Sequence, residues 1–342
     1  MRKIPARRTH RLRVLAAPVA VVMAAGIALS GCGLQTGSAY VQKVQPASIE
    51  PIPALKGVNL AVGSKDFDEQ IILGYIAIIA LKAAGADITD RTNIKGSDSQ
   101  RQALLAGGTD VEWEYTGTAW ISYLKNTKPI VDPHHQFVAV QQADAKNGIT
   151  WVDPAPMNNT YAFAVTPQNQ KKYNLHMISD VKRLAQTNPK AATFCLETEF
   201  TSRDDGMPGV EKAYGFTLPK QNFQTMDTGL VYTRTQEGSC TFGEVFTTDG
   251  RIKGLGLKTL EDDKHFFPNY NAALSVRTEI MNKYPQIAQL FAPIAAKLTT
   301  EEIGALNTKV TVDGDDASQV ALNWMAKNGF VRSPDAKTNG QA

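Results

Sequence analysis

The sequence has little cysteine and little histidine, and beyond residue 31 it has no long apolar run. Three Cys in 342 residues are too few for the disulfide framework that holds small secreted domains together. Of the five His, His134 and His135 are adjacent in a Pro-flanked stretch and read as solvated loop. His176 and His265 have no Cys or carboxylate at ligand spacing, so no metal site is expected. There is no His-Glu-x-x-His, no Gly-x-Ser-x-Gly elbow and no phosphate-binding loop ending in Lys-Ser/Thr. Glu112 and Glu114 share a strand face at period two, but carboxylates at strand ends are common and do not by themselves make an acid–base pair. No later stretch approaches 18 uninterrupted apolar residues, so nothing downstream of the leader is expected to cross a membrane. An enzyme therefore has thin support, and no cofactor is expected.

What is present is ordinary globular composition, 43% hydrophobic and 20% charged, which excludes a fully disordered chain and suits about two domains. The formal net charge is +3 and the pI about 8.6, which at first suggests an acidic partner such as nucleic acid. The distribution removes that suggestion. Arg2, Lys3, Arg7, Arg8, Arg11 and Arg13 lie within residues 1–31, where there is no Asp or Glu. Without these six, 36 Lys+Arg become 30 against 33 Asp+Glu, a net −3, and no nucleic-acid partner is expected.

The basic head is followed by an apolar run from Val14 to Leu29 and by the small residues Ser30 and Gly31. This is the order of a secretory signal peptide. Leu29-Ser30-Gly31-Cys32 resembles the bacterial lipobox, which implies that Cys32 is acylated and opens the mature chain as its lipid anchor. Residues 32–55 are small, polar and Pro-containing, and read as a tether. In an oxidising compartment the remaining Cys195 and Cys240, each in a short apolar strand-like stretch, are expected to pair across neighbouring strands. Two buried free thiols are the alternative.

The globule opens with a strand at 58–62, an amphipathic helix at about 68–84, a strand at 88–93, a helix at 97–106 and a strand at 111–113. Alternating strands and helices predict an α/β fold with a mainly parallel sheet. Ligands in such folds sit beyond the carboxyl ends of the strands, here 64–67 and 114–118. The pattern recurs from strand 161–165 through helix 178–186, strand 193–196, helices near 210–214 and 230–236, and a strand ending at Phe246. In both halves a Gly (Gly107, Gly238) precedes an aromatic (Tyr115, Phe246) by eight positions, with a Thr after the aromatic. Each half also has a Phe, Phe67 or Phe200, after its first strand. Two lobes of one architecture are expected. The region after 270 reads as mostly helical and the tail 333–342 as frayed.

A binding module suits these features better than a catalyst. Aromatics at strand ends can hold a quaternary ammonium by cation–π attraction, at roughly 0.5–2 kcal/mol per ring, while Thr116, Thr118, Lys65 and Arg203 offer hydrogen bonds and positive charge to an anionic end.

At this point a resemblance becomes specific. Gly63-Ser64-Lys65-Asp66-Phe67-Asp68-Glu69-Gln70, Glu114-Tyr115-Thr116-Gly117-Thr118, Asn159-Thr160-Tyr161-Ala162, Arg203-Asp204-Asp205-Gly206-Met207-Pro208-Gly209 and Thr248-Asp249-Gly250-Arg251-Ile252 are similar to motifs of the substrate-binding proteins of osmoprotectant ABC importers. The similarity runs from about 58 to 330. It implies a two-lobed, type II periplasmic-binding-protein-like (venus-flytrap) fold, with lobe 1 formed by 56–160 plus 270–342 and lobe 2 by 161–269. It implies an aromatic box of Tyr115, Tyr161, Phe246 and Tyr270 around a trimethylammonium group. Lys65, Thr118 and Arg203 would take the carboxylate, with Asn159 near the box. The family usually has Tyr where this chain has Phe246, and a Pro-x-Tyr-Tyr run where it has Pro268-Asn269-Tyr270-Asn271.

The expected function is capture of glycine betaine, carnitine, choline or a related zwitterion or cation for delivery to an ABC permease. The protein would be a monomeric lipoprotein, lipid-anchored on the outer face of the cytoplasmic membrane, and would do no chemistry. The alternatives are a binding or sensory lipoprotein on the same scaffold for an unrelated amine or aromatic ligand, and a surface adhesin.

Overall fold

The computed structural model describes residue 41 and residues 44–332. The expected signal peptide 1–31, Cys32 and the tail 333–342 lie outside the described residues.

The chain runs β1 (Gln45–Pro46), β2 (Asn59–Lys65), α1 (Asp68–Ala83), β3 (Asp87–Ile94), α2 (Ser97–Leu105), β4 (Val111–Tyr115), α3 (Thr116–Thr118), α4 (Pro133–Asp144) and β5 (Ile149–Pro154). It then crosses into β6 (Tyr161–Val165), α5 (Pro167–Tyr173), α6 (Ser179–Thr187), β7 (Phe194–Glu197), α7 (Met207–Tyr214), β8 (Phe223–Met226), α8 (Thr228–Gln236), β9 (Phe242–Phe246), α9 (Gly250–Gly254) and β10 (Lys258–Thr259). It returns as β11 (Ala272–Arg277), followed by α10 (Thr278–Lys283), α11 (Gln286–Ala295), α12 (Thr300–Thr311), α13 (Ala317–Lys327) and β12 (Val331–Arg332).

Two five-stranded sheets result, with orders β3-β2-β4-β11-β5 and β8-β7-β9-β6-β10. The two lists correspond position by position. In each, β2–β3 or β7–β8 and β2–β4 or β7–β9 pair in parallel. The single reversed strand, β11 or β6, is antiparallel to both of its neighbours. The repeat read from Gly107/Tyr115 and Gly238/Phe246 is thus a structural one, because β4 and β9 occupy the same place in their sheets. The reversed strands are the ones that carry the chain between lobes.

α1, expected to be amphipathic, is instead apolar on nearly every face beyond its first turn, and its burial follows from that. Ile72, Leu73, Ile76, Ala77, Ile79, Ala80 and Leu81 are all fully buried, between the first sheet and the α12–α13 pair. The second lobe packs Phe163, Phe194, Phe200, Phe242 and Tyr214 into its own core. Cys195 in β7 and Cys240, just before β9, are joined in a disulfide.

Several expectations change. His134 and His135 are not in a loop but in the first turn of α4. Asp132 caps that helix by accepting from His135 N at 2.7 Å, and Pro133 occupies its first turn, an N-terminus favoured by the residues themselves. The region after 270 is mostly helical as expected, in α10 to α13, but opens with the unread strand β11; β5, α5 and β8 are further elements the pattern left unread. Part of the expected tether is docked. Ile49 and Leu55 are buried, and β1 pairs antiparallel with β12 in the register Gln45↔Arg332 and Pro46↔Val331.

Candidate functional site

The two passages between lobes, 155–160 and 260–271, lie side by side. Tyr270 N donates to Asn158 Oδ1 at 2.8 Å, and Asn159 N donates to Tyr270 O at 3.1 Å. Each passage ends on an aromatic beside a strand tip. Tyr161 opens β6 directly opposite Phe246 of β9. Tyr270 precedes β11, whose Ala272 is opposite Tyr115 of β4. The register therefore gathers the four rings by backbone pairing. Gly117 lets the fourth ring close in, since a Cβ there would meet the Tyr270 ring and Asn269 O at 2.7 Å.

The rings form an arc around a cleft of about 590 Å³. Adjacent centroids are 5.2 Å apart for Tyr270–Tyr161, 5.3 Å for Tyr161–Phe246, 5.1 Å for Phe246–Phe67 and 6.2 Å for Phe67–Tyr115. Phe67, two residues after the first-lobe strand β2 and immediately before α1, is thus a fifth ring that the box of four did not include. Its signal in the sequence was the Phe67/Phe200 correspondence.

All eight residues singled out from the motifs line this one cleft: Tyr115, Tyr161, Phe246, Tyr270, Lys65, Thr118, Arg203 and Asn159. Two of the phenols are tied to carboxylates. Tyr115 donates to Glu69 Oε1 and Tyr270 to Asp205 Oδ2, each at 2.7 Å. Burial first, and the neighbouring carboxylate second, hold both phenols well above their ordinary pKa, so these hydroxyls stay protonated donors. A phenol that donates to an anion has a more electron-rich ring, which strengthens its attraction for a cation.

The cationic side chains are not isolated. Lys65 Nζ is 2.6 Å from Glu114 Oε1 and 5.1 Å from the Tyr115 ring centroid. Arg203 makes a two-pronged pair with Asp205, at 2.7 and 2.6 Å, and reaches Thr118 Oγ1 at 3.4 Å. Burial raises the Asp205 carboxyl, but the Arg203 guanidinium outweighs it and holds Asp205 below the usual carboxylate range.

Polar contacts between lobes rim the cleft. Glu199 accepts from Ser97 N at 2.5 Å and from Ser97 Oγ at 2.8 Å, so a side chain of the second lobe caps the N-terminus of α2 in the first. Lys95 reaches Asp227 at 3.0 Å and Arg251 reaches Asp68 at 3.3 Å. The Glu199 contact had no local signal in the sequence, because its two ends are 102 residues apart.

No group of three or more His, Cys, Asp or Glu among the described residues could hold a metal ion. No described helix is long and apolar enough to cross a membrane. The arrangement is a cleft lined by an arc of rings together with charged and polar side chains, a chemistry suited to a small cation with a polar end.

Residues 58–327 match the family model described as the substrate-binding domain of ABC-type glycine betaine transport systems. The chain is 34% identical over 287 residues to a glycine-betaine-binding protein of Pseudomonas aeruginosa, covering 82% of this chain and 92% of that one. It is 32% identical over 281 residues to an ergothioneine transport permease/ergothioneine binding protein of Helicobacter pylori, covering 82% of this chain and 49% of that one. Among solved structures it resembles a glycine betaine/carnitine/choline ABC transporter component with a TM-score of 0.63 and 29% identity, covering 79% of this chain and 99% of that one.

Proposed function

The chain belongs to the family of substrate-binding domains of ABC-type glycine betaine transport systems, and from that membership we propose that it captures a quaternary-ammonium osmoprotectant between its lobes and hands it to a membrane permease. The family binds its substrate and does not transform it. The observation that carries the proposal is the arc of five rings in the interlobe cleft. A trimethylammonium group has no N–H to donate, so ring faces are its natural partners.

In this proposal Tyr115, Tyr161, Phe246 and Tyr270 form the box and Phe67 completes it. Lys65, Thr118 and Arg203 meet the ligand's polar end, and Asn159 lies beside the box. Lobe 1 is 56–160 plus 270–342, and lobe 2 is 161–269. The mature protein is a monomer held at the outer face of the cytoplasmic membrane by lipid on Cys32, with residues from 33 to the docked β1 as its leash. Closure removes water from around the cation and stabilises the closed state by the difference in affinity between the two states.

A second reading is a bulkier ligand on the same scaffold. It is favoured by the cleft volume of about 590 Å³, equal to roughly twenty waters at about 30 Å³ each and more than glycine betaine fills.

Calorimetric titration with glycine betaine, carnitine, proline betaine and choline tests the proposal. Saturable binding of at least one is expected. No heat from any of them at millimolar concentration would sink it.

A further inference from the structure

Glu69, in the first turn of α1, is 3% exposed. Its carboxylate accepts four hydrogen bonds. Oε1 takes Tyr115 Oη at 2.7 Å and Asn159 Nδ2 at 2.8 Å, while Oε2 takes Thr248 Oγ1 at 2.6 Å and Asn307 Nδ2 at 2.7 Å. These partners come from β4, the first interlobe passage, the segment after β9, and α12. Glu69 is thus the point at which both lobes and a ring of the arc are tied together.

Of the other buried carboxylates near the cleft, Glu114 faces Lys65, Asp205 faces Arg203 and Asp249 faces Arg251, while Glu112 and Glu244 lack an ion pair among the described residues and burial raises each of these two to about 8. Among the described residues Glu69 is in no ion pair. A buried carboxylate without a counter-ion is costly, and burial raises the pKa of Glu69 against the four hydrogen bonds that lower it. Asn159 and Asn307 turn to the carboxylate their NH2 groups, which can only donate. They commit one acceptor site on each oxygen and leave only the two hydroxyls to receive a carboxyl proton. The cluster is therefore built for a carboxylate, yet holds no positive charge.

The missing charge can be supplied from the cleft. Asn159 and Phe246 line both the main cleft and the narrow crevice at Glu69, so Glu69 stands one side chain behind the ring arc. Tyr115 joins its hydroxyl to Glu69 and its ring to the cleft. Asn159, 5% exposed, has its Nδ2 held by Glu69, while its Oδ1 has no hydrogen-bond partner. Asn159 itself lines the cleft, and its unpartnered buried atom is an acceptor.

We propose that Glu69 is the counter-charge of the ligand's quaternary ammonium, a specificity-determining residue that acts through Tyr115 and Asn159 without touching the ligand. The inference rests on the proposed capture of a quaternary ammonium and adds what makes the site read charge as well as shape. Ring faces already favour a trimethylammonium over an uncharged tert-butyl group of the same shape through cation–π attraction. A fixed carboxylate in a low-dielectric wall adds to that preference, and its share is what neutralising Glu69 removes.

The test compares choline with 3,3-dimethylbutan-1-ol, its uncharged carbon isostere, on the full mature chain. The wild type should bind choline at least about tenfold tighter than the isostere. Glu69→Gln should lose about tenfold or more in choline affinity and change little for the isostere, so that the ratio collapses. Adding Asn307→Asp to Glu69→Gln returns a carboxylate to the same cluster and should restore most of the ratio. Equal affinity of the wild type for both compounds overturns the inference whether or not any variant folds. So does a Glu69→Gln variant that keeps the wild-type ratio, or a double variant that binds choline no better than the single one. If the wild type binds glycine betaine but not choline, glycine betaine and its uncharged-head isostere 3,3-dimethylbutanoate replace the pair, and a ratio left unchanged by Glu69→Gln overturns the counter-charge while the capture of a quaternary ammonium stands. If it binds no quaternary ammonium at all, the proposed function falls first.

Discussion

A phenol tied to a buried carboxylate serves two purposes at once in this cleft. Its hydroxyl fixes the ring in place, and its donation enriches the face offered to a cation. Tyr115 and Tyr270 are of this kind, whereas Phe246 keeps only the ring, with Tyr232 Oη accepting from its backbone N at 3.0 Å. Tyr161 sits between two rings of the arc, within 5.3 Å of both Phe246 and Tyr270. Tyr161→Ala should therefore weaken ligand binding about tenfold or more, as one cation–π face of up to ~2 kcal/mol is lost. Calorimetry checks this, and an unchanged affinity would remove Tyr161 from the box. Glu244 allows a different measurement. Burial pushes its carboxyl up to about 8, so the folded protein keeps a proton that the unfolded chain has already lost. The stability this group contributes is full below its unfolded pKa of about 4.5 and is lost as pH rises through about 8. Glu244→Gln cannot ionise. Its thermal midpoint should exceed the wild type's at about pH 9 and fall back to it or below near pH 4.5; a gap that does not change with pH would contradict the assignment. The box tyrosines were legible because each lies in a distinctive motif. Glu69 was not. Asp68-Glu69 at a helix start reads as ordinary acidic complement to the helix dipole, and nothing local announces that Thr248 and Asn307, 179 and 238 residues away, converge on it.

At the scale of elements, the helices and strands with clear periodicity were legible to within about three residues at their ends. Two of the elements that were not legible, a strand and a helix, are informative. β11 reads Ala-Ala-Leu-Ser-Val-Arg, with little β-branched or aromatic content. It becomes a strand because β4 and β5 flank it and pair with it on both sides, a tertiary choice that overrides weak local propensity. α4 was missed for the opposite reason. Pro133 suggested a break, whereas after a capping Asp it occupies a helix's first turn. The cap on α2 lies beyond any local pattern, because Gly96 at its N-cap offers no side chain and the carboxylate arrives from Glu199 in the other lobe. Since that contact exists only when the lobes are together, Glu199→Ala should speed ligand release several-fold and weaken all ligands in the same proportion. Stopped-flow release kinetics across two ligands would check this. A loss confined to one ligand would mean that Glu199 acts as a ligand contact instead.

At the scale of the molecule, two equivalent sheets face one cleft and are joined by two adjacent passages, with the aromatic arc where the passages meet the strand tips. The duplication was visible in the spacing of a few residues. The docking of the N-terminal stretch was not, because Pro-rich polar sequence reads as linker and only Val41, Ile49 and Leu55 are fully apolar and buried. Removing residues up to 50 would delete β1, Val41 and Ile49, at a cost of about 4 kcal/mol from the lost apolar burial, and should lower Tm by roughly 6 °C. Differential scanning calorimetry of the trimmed protein measures it, and an unchanged Tm would mean that the strap adds no stability.

The same β1–β12 pairing brings the two ends of the folded chain together, Gln45 directly across from Arg332. The backbone is in effect a ring left open by one small gap. A short Gly-Ser bridge could close that gap, and new ends could be cut in the exposed turn at Asp313–Asp315, between α12 and α13. Such a circularly permuted chain would keep every strand neighbour while reversing the order of synthesis, so that α13 would be made first and α12 last. The cleft would form unchanged, and the permuted protein would bind the same ligand from a different starting point along the chain.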